Sequence, residues 1–282
     1  MLAAVVPARD EEGRIGRVLQ RLLRLPLDLI IPVVNGSADR TWSEVLAIRD
    51  PRVQPLHYAE ALGLDVPRAV GARAALAAGA QGVLFVDGDM AGHLEPALRM
   101  LLQWVRTGRL DMALCHVRRT PPVHPGSMAS RVQALRLELN HVLGLRALGD
   151  AIPSHGPHAV SRRFLQAVPL RELALPPVSQ ALAVRAGLRV GVGALLDHRD
   201  LGHCPRPAEH RRRVGETLVG DCLEAIAAYR GEPRTRERDG VVYLGYHPER
   251  RLDLLEDAGG AGRELGGAGA REVQAPSAEW TS

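Results

Sequence analysis

The first 117 residues alternate short apolar runs with stretches whose apolar positions recur every three or four residues. That alternation predicts βαβ units around a parallel sheet. Residues 3–7 read as a first strand. Asp10-Glu11-Glu12 follows, three acids suited to the first turn of a helix, where the helix dipole favours them. Ile15, Val18, Leu19, Leu22 and Leu23 continue at helical spacing. Residues 29–34 predict a second strand closed by the turn Asn35-Gly36-Ser37, residues 41–49 a short helix, and residues 53–56 a weak third strand. A small-residue helix over 65–80 feeds the apolar run Gly82-Val83-Leu84-Phe85-Val86, and a helix over 95–107 and a strand over 111–117 complete this half.

The pattern changes after residue 117. Residues 120–127 are a loop rich in Pro and His. Residues 128–148 are amphipathic, with Arg131, Arg136 and Arg146 among leucines, and read as a packed surface helix or as an acceptor or lipid contact. A late strand over 188–196 ends at Asp197-His198-Arg199, and a helix over 207–229 opens with His210-Arg211-Arg212-Arg213, a solvated basic face or a cover for a diphosphate. Beyond residue 257 the chain is Gly/Ala-rich without periodicity, which predicts a disordered tail over 258–282. The expectation is one α/β domain over 1–257 and no internal repeat.

Composition narrows the function classes. All 36 basic residues are arginine and the formal charge is only +4. Uniform arginine together with abundant Ala, Gly and Leu reflects genomic base composition, and aromatics, at 3%, are too scarce to stack on bases, so nucleic acid is not an expected partner. Cys115, Cys204 and Cys222 are widely spaced with no CxxC pair, which predicts free thiols in a reducing compartment and no zinc site. No signal peptide is evident and no apolar stretch approaches the roughly 20 residues that span a bilayer. The expectation is a cytoplasmic protein, at most peripheral to a membrane.

Asp87-Gly88-Asp89, at the end of the buried-strand run, carries the chemistry. Residues two apart on an extended backbone face the same side, so the two carboxylates stand roughly 6.5 Å apart at Cα and can converge on one hard divalent cation. Two acids at an apolar strand end repel each other and lose solvation, so a cation should offset them. Asp and Gly also end strands simply as turn formers, and Gly88 removes a side chain where a ligand would approach the backbone.

Four ordered segments resemble family 2-type glycosyltransferases with the GT-A fold. Pro7-Ala8-Arg9-Asp10-Glu11-Glu12 after a strand is similar to their opening, and Asn35-Gly36-Ser37-Ala38-Asp39-Arg40-Thr41 to their Asp-Asp-Gly-Ser-x-Asp-x-Thr turn. Residues 69–79 stand in the place of their Asn/Gly/Ala-rich helix, and Val86-Asp87-Gly88-Asp89 matches their Asp-x-Asp signature. The resemblance implies a mostly parallel Rossmann-like sheet with a helical C-terminal extension. It divides the chain into a nucleotide-sugar half over 1–117 and an acceptor half over 118–257. A nucleoside-diphosphate sugar would lie over the strand ends, held by Pro7, Ala8, Arg9, Glu11, Asn35, Ser37, Asp39, Asp87, Gly88 and Asp89. Asp87 and Asp89 would hold Mg²⁺ or Mn²⁺, with Asp89 assisting departure of the diphosphate. By the same resemblance His198 would be a third metal ligand, and Gly156, Arg162 and Arg163 would meet the acceptor.

Two departures accompany the likeness. Val34-Asn35 replaces the two acids before Gly-Ser, which leaves the nucleobase open. Residues 176–182 contain no acid where inverting members carry a Glu-Asp pair with the general base; Glu172 and His155 are the nearest substitutes. The expected function is metal-dependent hexosyl transfer to a small or lipid-linked acceptor, by inversion or retention. A nucleotide-sugar-binding module without transfer is the alternative. A nucleotidyltransferase is disfavoured, because the loop at 7–12 offers acids rather than a Gly-rich basic cradle.

Overall fold

Seven strands form one sheet in the computed structural model, which describes residues 1–118, 122–202 and 206–256. In chain order they are β1 (Leu2–Ala8), β2 (Leu29–Asn35), β3 (Leu56–Tyr58), β4 (Gly82–Phe85), β5 (Met112–Arg118), β6 (His158–Ser161) and β7 (Val190–Asp197). Across the sheet the order is β3-β2-β1-β4-β6-β5-β7. Every neighbouring pair is parallel except the two that involve β6, which runs antiparallel between β4 and β5. The mostly parallel sheet is the expected one; its reversed strand is not, because four residues are too few to show a period.

Strands buried on both faces need apolar residues at every position, and β2 is buried from end to end. Eight helices supply the cover: α1 (Ile15–Leu22), α2 (Thr41–Leu46), α3 (Val66–Ala77), α4 (Glu95–Arg106), α5 (Met128–Val142), α6 (Arg162–Ala167), α7 (Pro176–Arg185) and α8 (Ala208–Arg230). Val5, Val33, Val83, Phe85 and Leu114 face one core with Val70, Leu139, Val178 and Leu223 of α3, α5, α7 and α8. Ala4, Val6, Leu84, Val86 and Cys115 face the other, with Leu19 of α1 and Leu98 and Leu101 of α4. A two-stranded ribbon, β8 (Glu237–Arg238) and β9 (Val241–Val242), follows α8.

Several boundaries differ from the sequence expectation for local reasons. Asp10-Glu11-Glu12 lies ahead of α1, not in its first turn: Asp10 adopts a left-handed φ of 55°, and Glu11 O accepts from Arg14 N and Ile15 N before the helix begins. The third strand is Leu56–Tyr58, with residue 53 making only an isolated bridge to Ile30. The helix expected over 128–148 stops at Val142, and a short 3₁₀ turn, Arg146–Leu148, follows. Cys115 and Cys222 are free, and burial pushes both thiols up to about 12, so neither is poised for chemistry. Among the described residues no helix is long and apolar enough to cross a membrane. Cys204, part of the Pro/His loop and the tail over 258–282 lie outside the described residues.

Candidate active site

The parallel strands β1, β2 and β4 end on one edge, where their loops meet. The loop after β1 is sewn to the turn after β2 by side chains. Asp10 N donates to Ser37 Oγ (3.2 Å), Glu11 N to Thr41 Oγ1 (2.7 Å) and Glu12 N to Asp39 Oδ2 (3.0 Å). Asp10 Oδ1 accepts in return from Ala38 N at 2.8 Å. Arg9 is exposed beside Asp10. Asn35 is buried, with Nδ2 donating to Ala8 O (3.2 Å) and Oδ1 accepting from Leu62 N (3.1 Å). Ser37, Asp39 and Asn35 therefore shape the loop at 7–12, and this use of their polar atoms is what the structure adds to the expected donor contacts.

Asp87 emerges beyond β4 and meets Arg68 of α3, whose Nη2 lies 2.6 Å from Asp87 Oδ1. Gly88 N donates to Pro7 O at 2.8 Å, and a Cβ on Gly88 would come within 3.0 Å of that oxygen and 3.1 Å of Ala8 Cβ. The glycine thus admits the chain's own β1 loop, where the sequence suggested an approaching ligand. Asp89 faces Glu11 across this junction. Arg206 spans the two, with Nη2 2.6 Å from Glu11 Oε1 and 3.6 Å from Asp89 Oδ2, while Arg14 Nε lies 2.5 Å from Glu11 Oε2. Burial raises the Glu11 carboxyl above its ordinary range and the negative charge of Asp89 raises it further; Arg14 and Arg206 oppose this without overcoming it. The edge thus gathers three carboxylates, Glu11, Asp87 and Asp89, among arginines. A hard divalent cation fits such an oxygen-rich, acidic donor set, and Asp87 and Asp89 are the residues that would hold it.

The remaining expected site residues divide by position. Gly156, at φ 93°, sits where a Cβ would lie 2.8 Å from Val117 Cγ2, at the same end of β5. His155 is buried beside it, its ring 6.5 Å from that of His198. His198 opens a 3₁₀ turn, His198–Leu201, that is tied to the loop after Asp89 through Gly92 N and Leu201 O (3.2 Å). His198 is thus on the same edge as Asp87 and Asp89, and among the described residues the three do not form a group of ligand atoms within 4.8 Å of one another.

Arg162, Arg163 and Glu172 require correction. Because β6 is antiparallel, Ser161 pairs with Gly82 at the start of β4, and the chain leaves the sheet at the edge opposite Asp87. Arg162 donates to Ala80 O (3.3 Å) and Arg163 reaches Asp111 (3.4 Å), both at that far edge. Five residues of strand, at about 3.3 Å each, separate Gly82 from Asp87, so neither arginine meets a ligand there. Glu172 is likewise past this exit and buried, and both its oxygens accept from Arg234 at 3.0 and 2.9 Å, which leaves no role as a base. Arg212 and Arg213 are engaged by Glu209 and by the Tyr246 ring. The sequence reading missed Arg68, Arg206 and a pair at the end of β5, His116 with Asp150 (Nε2 to Oδ1, 3.1 Å). In a chain whose every cation is arginine, no single arginine stands out.

A Rossmann-like sheet with one reversed strand, and an acidic Asp-x-Asp pair on the edge where β1, β2 and β4 end, defines the GT-A class of glycosyltransferases. The chain belongs to glycosyl transferase family 2, whose sequence profile matches residues 3–164, more than half of its length. The same fold appears in glucosyl-3-phosphoglycerate synthase from Mycobacterium tuberculosis in complex with UDP (TM-score 0.56, 19% identity, covering 84% of this chain and 82% of that one). The complex of that synthase with Mn²⁺, UDP-glucose and phosphoglyceric acid gives TM-score 0.53 at 19% identity over 84% and 81% of the two chains. Mannosyl-3-phosphoglycerate synthase from Rubrobacter xylanophilus gives 0.62 at 17% identity over 86% and 78%. No curated protein sequence matches significantly.

Proposed function

We propose that this glycosyltransferase moves a hexose from a nucleoside-diphosphate sugar to a small hydroxylated acceptor with the help of Mg²⁺ or Mn²⁺. The observation that carries the reading is the Asp87–Gly88–Asp89 edge, where two partly exposed carboxylates stand beside buried Glu11, whose carboxyl is raised first by burial and then by Asp89. Such an edge gains by taking up a cation, and a diphosphate brings oxygens to complete its shell. Ligands of open α/β sheets sit beyond the carboxyl ends of the strands, where these loops converge. The bound cation would supply Lewis-acid stabilisation of the departing diphosphate. The loop at 7–12, clamped by Ser37, Asp39 and Thr41, would wall the nucleoside, while Arg68 orients Asp87 and Arg206 pairs with Glu11 and Asp89. Neighbours of the same fold in complex with UDP, divalent cations and phosphoglyceric acid support both the donor class and a small acceptor.

A thermal-shift screen of UDP, GDP and their hexose conjugates, with and without Mn²⁺, tests the reading. The expected result is a stabilisation by one nucleotide family that requires the cation and names the base. A folded protein unmoved by every conjugate, with the cation present, would overturn it.

A further inference from the structure

The end of β5 carries a pair that the donor reading does not use. His116 Nε2 lies 3.1 Å from Asp150 Oδ1, and Gln133 Nε2 of α5 donates to Asp150 Oδ2 at 3.0 Å. Asp150 is buried, whereas the His116 side chain keeps 37% of its surface exposed. A carboxylate only accepts, so Nε2 is the protonated nitrogen, and in the neutral ring Nδ1 is left as an acceptor. Among the described residues the His116 ring makes no other hydrogen bond.

Sheet register places this ring relative to the donor edge. Phe85 of β4 and Leu114 of β5 both pair with His158 of β6. Asp87 and His116 each stand two residues further along their chains, so they reach the same height on the face packed by α3 and α5. Two strand spacings, about 10 Å, separate their backbones. Gly156, the residue two before His158, has a φ of 93°, and the Cβ it lacks would meet Val117 Cγ2 at 2.8 Å, so the glycine makes way for a side chain of the opposite face. Asp87 and the partly exposed His116 ring thus stand on one edge of the sheet, at a spacing that a donor and a second substrate can share.

We propose that His116 is the acceptor-recognising residue of this enzyme: Nδ1 accepts a hydrogen bond from a hydroxyl of the incoming acceptor, and Asp150 is the positioning residue that fixes the tautomer. The proposal rests on the glycosyl-transfer reading above and adds the chemistry of the contact. At that point the acceptor presents a neutral O–H; a carboxylate or phosphate oxygen would oppose the Nδ1 lone pair, so any anionic group of the acceptor points elsewhere. His116 moves no proton in this scheme.

The test uses the full chain with UDP-glucose or GDP-mannose, Mn²⁺, and glycerol, glycerol 3-phosphate and phosphoglyceric acid as acceptor probes at pH 8. His116→Ala should raise the acceptor KM about tenfold or more, with kcat within about threefold and donor affinity by calorimetry unchanged. His116→Asn, which keeps a polar acceptor close by, should recover part of the loss. Asp150→Asn can donate to Nε2 and so reverses the tautomer; it should raise the acceptor KM as His116→Ala does, and the imidazole ¹⁵N shifts of His116 should report the reversal. An unchanged acceptor KM in both variants, or a collapse of kcat at constant KM, overturns the inference. Donor binding without transfer to any probe also overturns it while leaving the donor site standing; absence of donor binding overturns the underlying reading instead.

Discussion

Asp221, Glu224 and His247 bring three possible ligand atoms within 4.8 Å of one another, a tighter acidic group than Glu11, Asp87 and Asp89 form at the strand edge. Yet the tighter group is closed by resident cations. Arg236 Nη1 lies 2.8 Å from Asp221 and 2.6 Å from Glu224, and Arg250 grips both oxygens of Asp221 at 2.7 Å. The Asp221 and Arg250 side chains are fully buried. At the strand edge, by contrast, Asp87 keeps 30% and Asp89 17% of its side chain exposed, and Arg206 is divided between two acids. Proximity of carboxylates therefore does not by itself make a metal site. Arginines stand at close range in both groups; what separates them is that the Asp221 pair with Arg250 is wholly out of water, whereas Asp87 and Asp89 stay partly exposed. The groups are joined: Arg250 also lies 3.4 Å from Asp65, which holds Arg68 Nε at 3.0 Å, and Arg68 holds Asp87. A line of ion pairs thus connects the segment after α8 to the Asp87 edge.

That contrast can be broken at either end. Asp89→Ala should cost the edge its cation: several kcal/mol of transition-state stabilisation, about 10³-fold in kcat/KM, with the melting temperature little changed. Steady-state rates beside a thermal melt check this. Arg250→Met should do the reverse, since it strands Asp221 without a counter-charge. A loss of about 3–5 kcal/mol in urea unfolding is expected, and the variant should resemble wild type in donor affinity once folded.

The pH dependence of that loss sharpens the point. Burial alone would raise the Asp221 carboxyl, but Arg250 and Arg236 hold it below its ordinary value of 3.8. A depressed folded-state pKa gives stability that is fully present above the ordinary value and lost as pH falls through the depressed one. The urea midpoints of wild type and Arg250→Met should therefore stay a constant distance apart from pH 7 to pH 5 and converge below about pH 4. Convergence at neutral pH would contradict the assignment. The smallest effect is expected at the far edge of the sheet: Arg162→Ala and Arg163→Ala should leave the acceptor KM within about twofold of wild type, as kinetics with the responsive acceptor will show, because both side chains are at the opposite end from Asp87.

Where the chain advances by strand and helix in one direction, pattern alone places its parts. The runs at β1, β2 and β4 are apolar but for Asn35 at the end of β2, and Asp87 and Asp89 follow the last of them just beyond the strand end. The reading fails where direction reverses. Four residues of β6 carry the chain back across the sheet, so Arg162 and Arg163 leave by the wrong edge, and nothing in His-Ala-Val-Ser announces that turn. Glu172 fails for a second reason: its partner, Arg234, is 62 residues away, and pairing over such a distance has no local signature. The line from Asp87 to Arg250 was hidden in the same way, by long separation and by the uniformity of arginine. His116 and Asp150 lie 34 residues apart on a strand end and a turn, visible only once α5 folds between them.

The central claim is that the Asp87–Gly88–Asp89 edge takes up a divalent cation together with a nucleoside diphosphate. Isothermal titration of UDP and GDP into wild type and Asp89→Ala, each in Mn²⁺ and again in a chelator, tests it most directly. The account predicts binding of one nucleotide to wild type in Mn²⁺, weakened by about 100-fold or more by either the chelator or the substitution, with no further loss when both are applied. For either nucleotide, binding of equal affinity across the four combinations of protein and condition would contradict it.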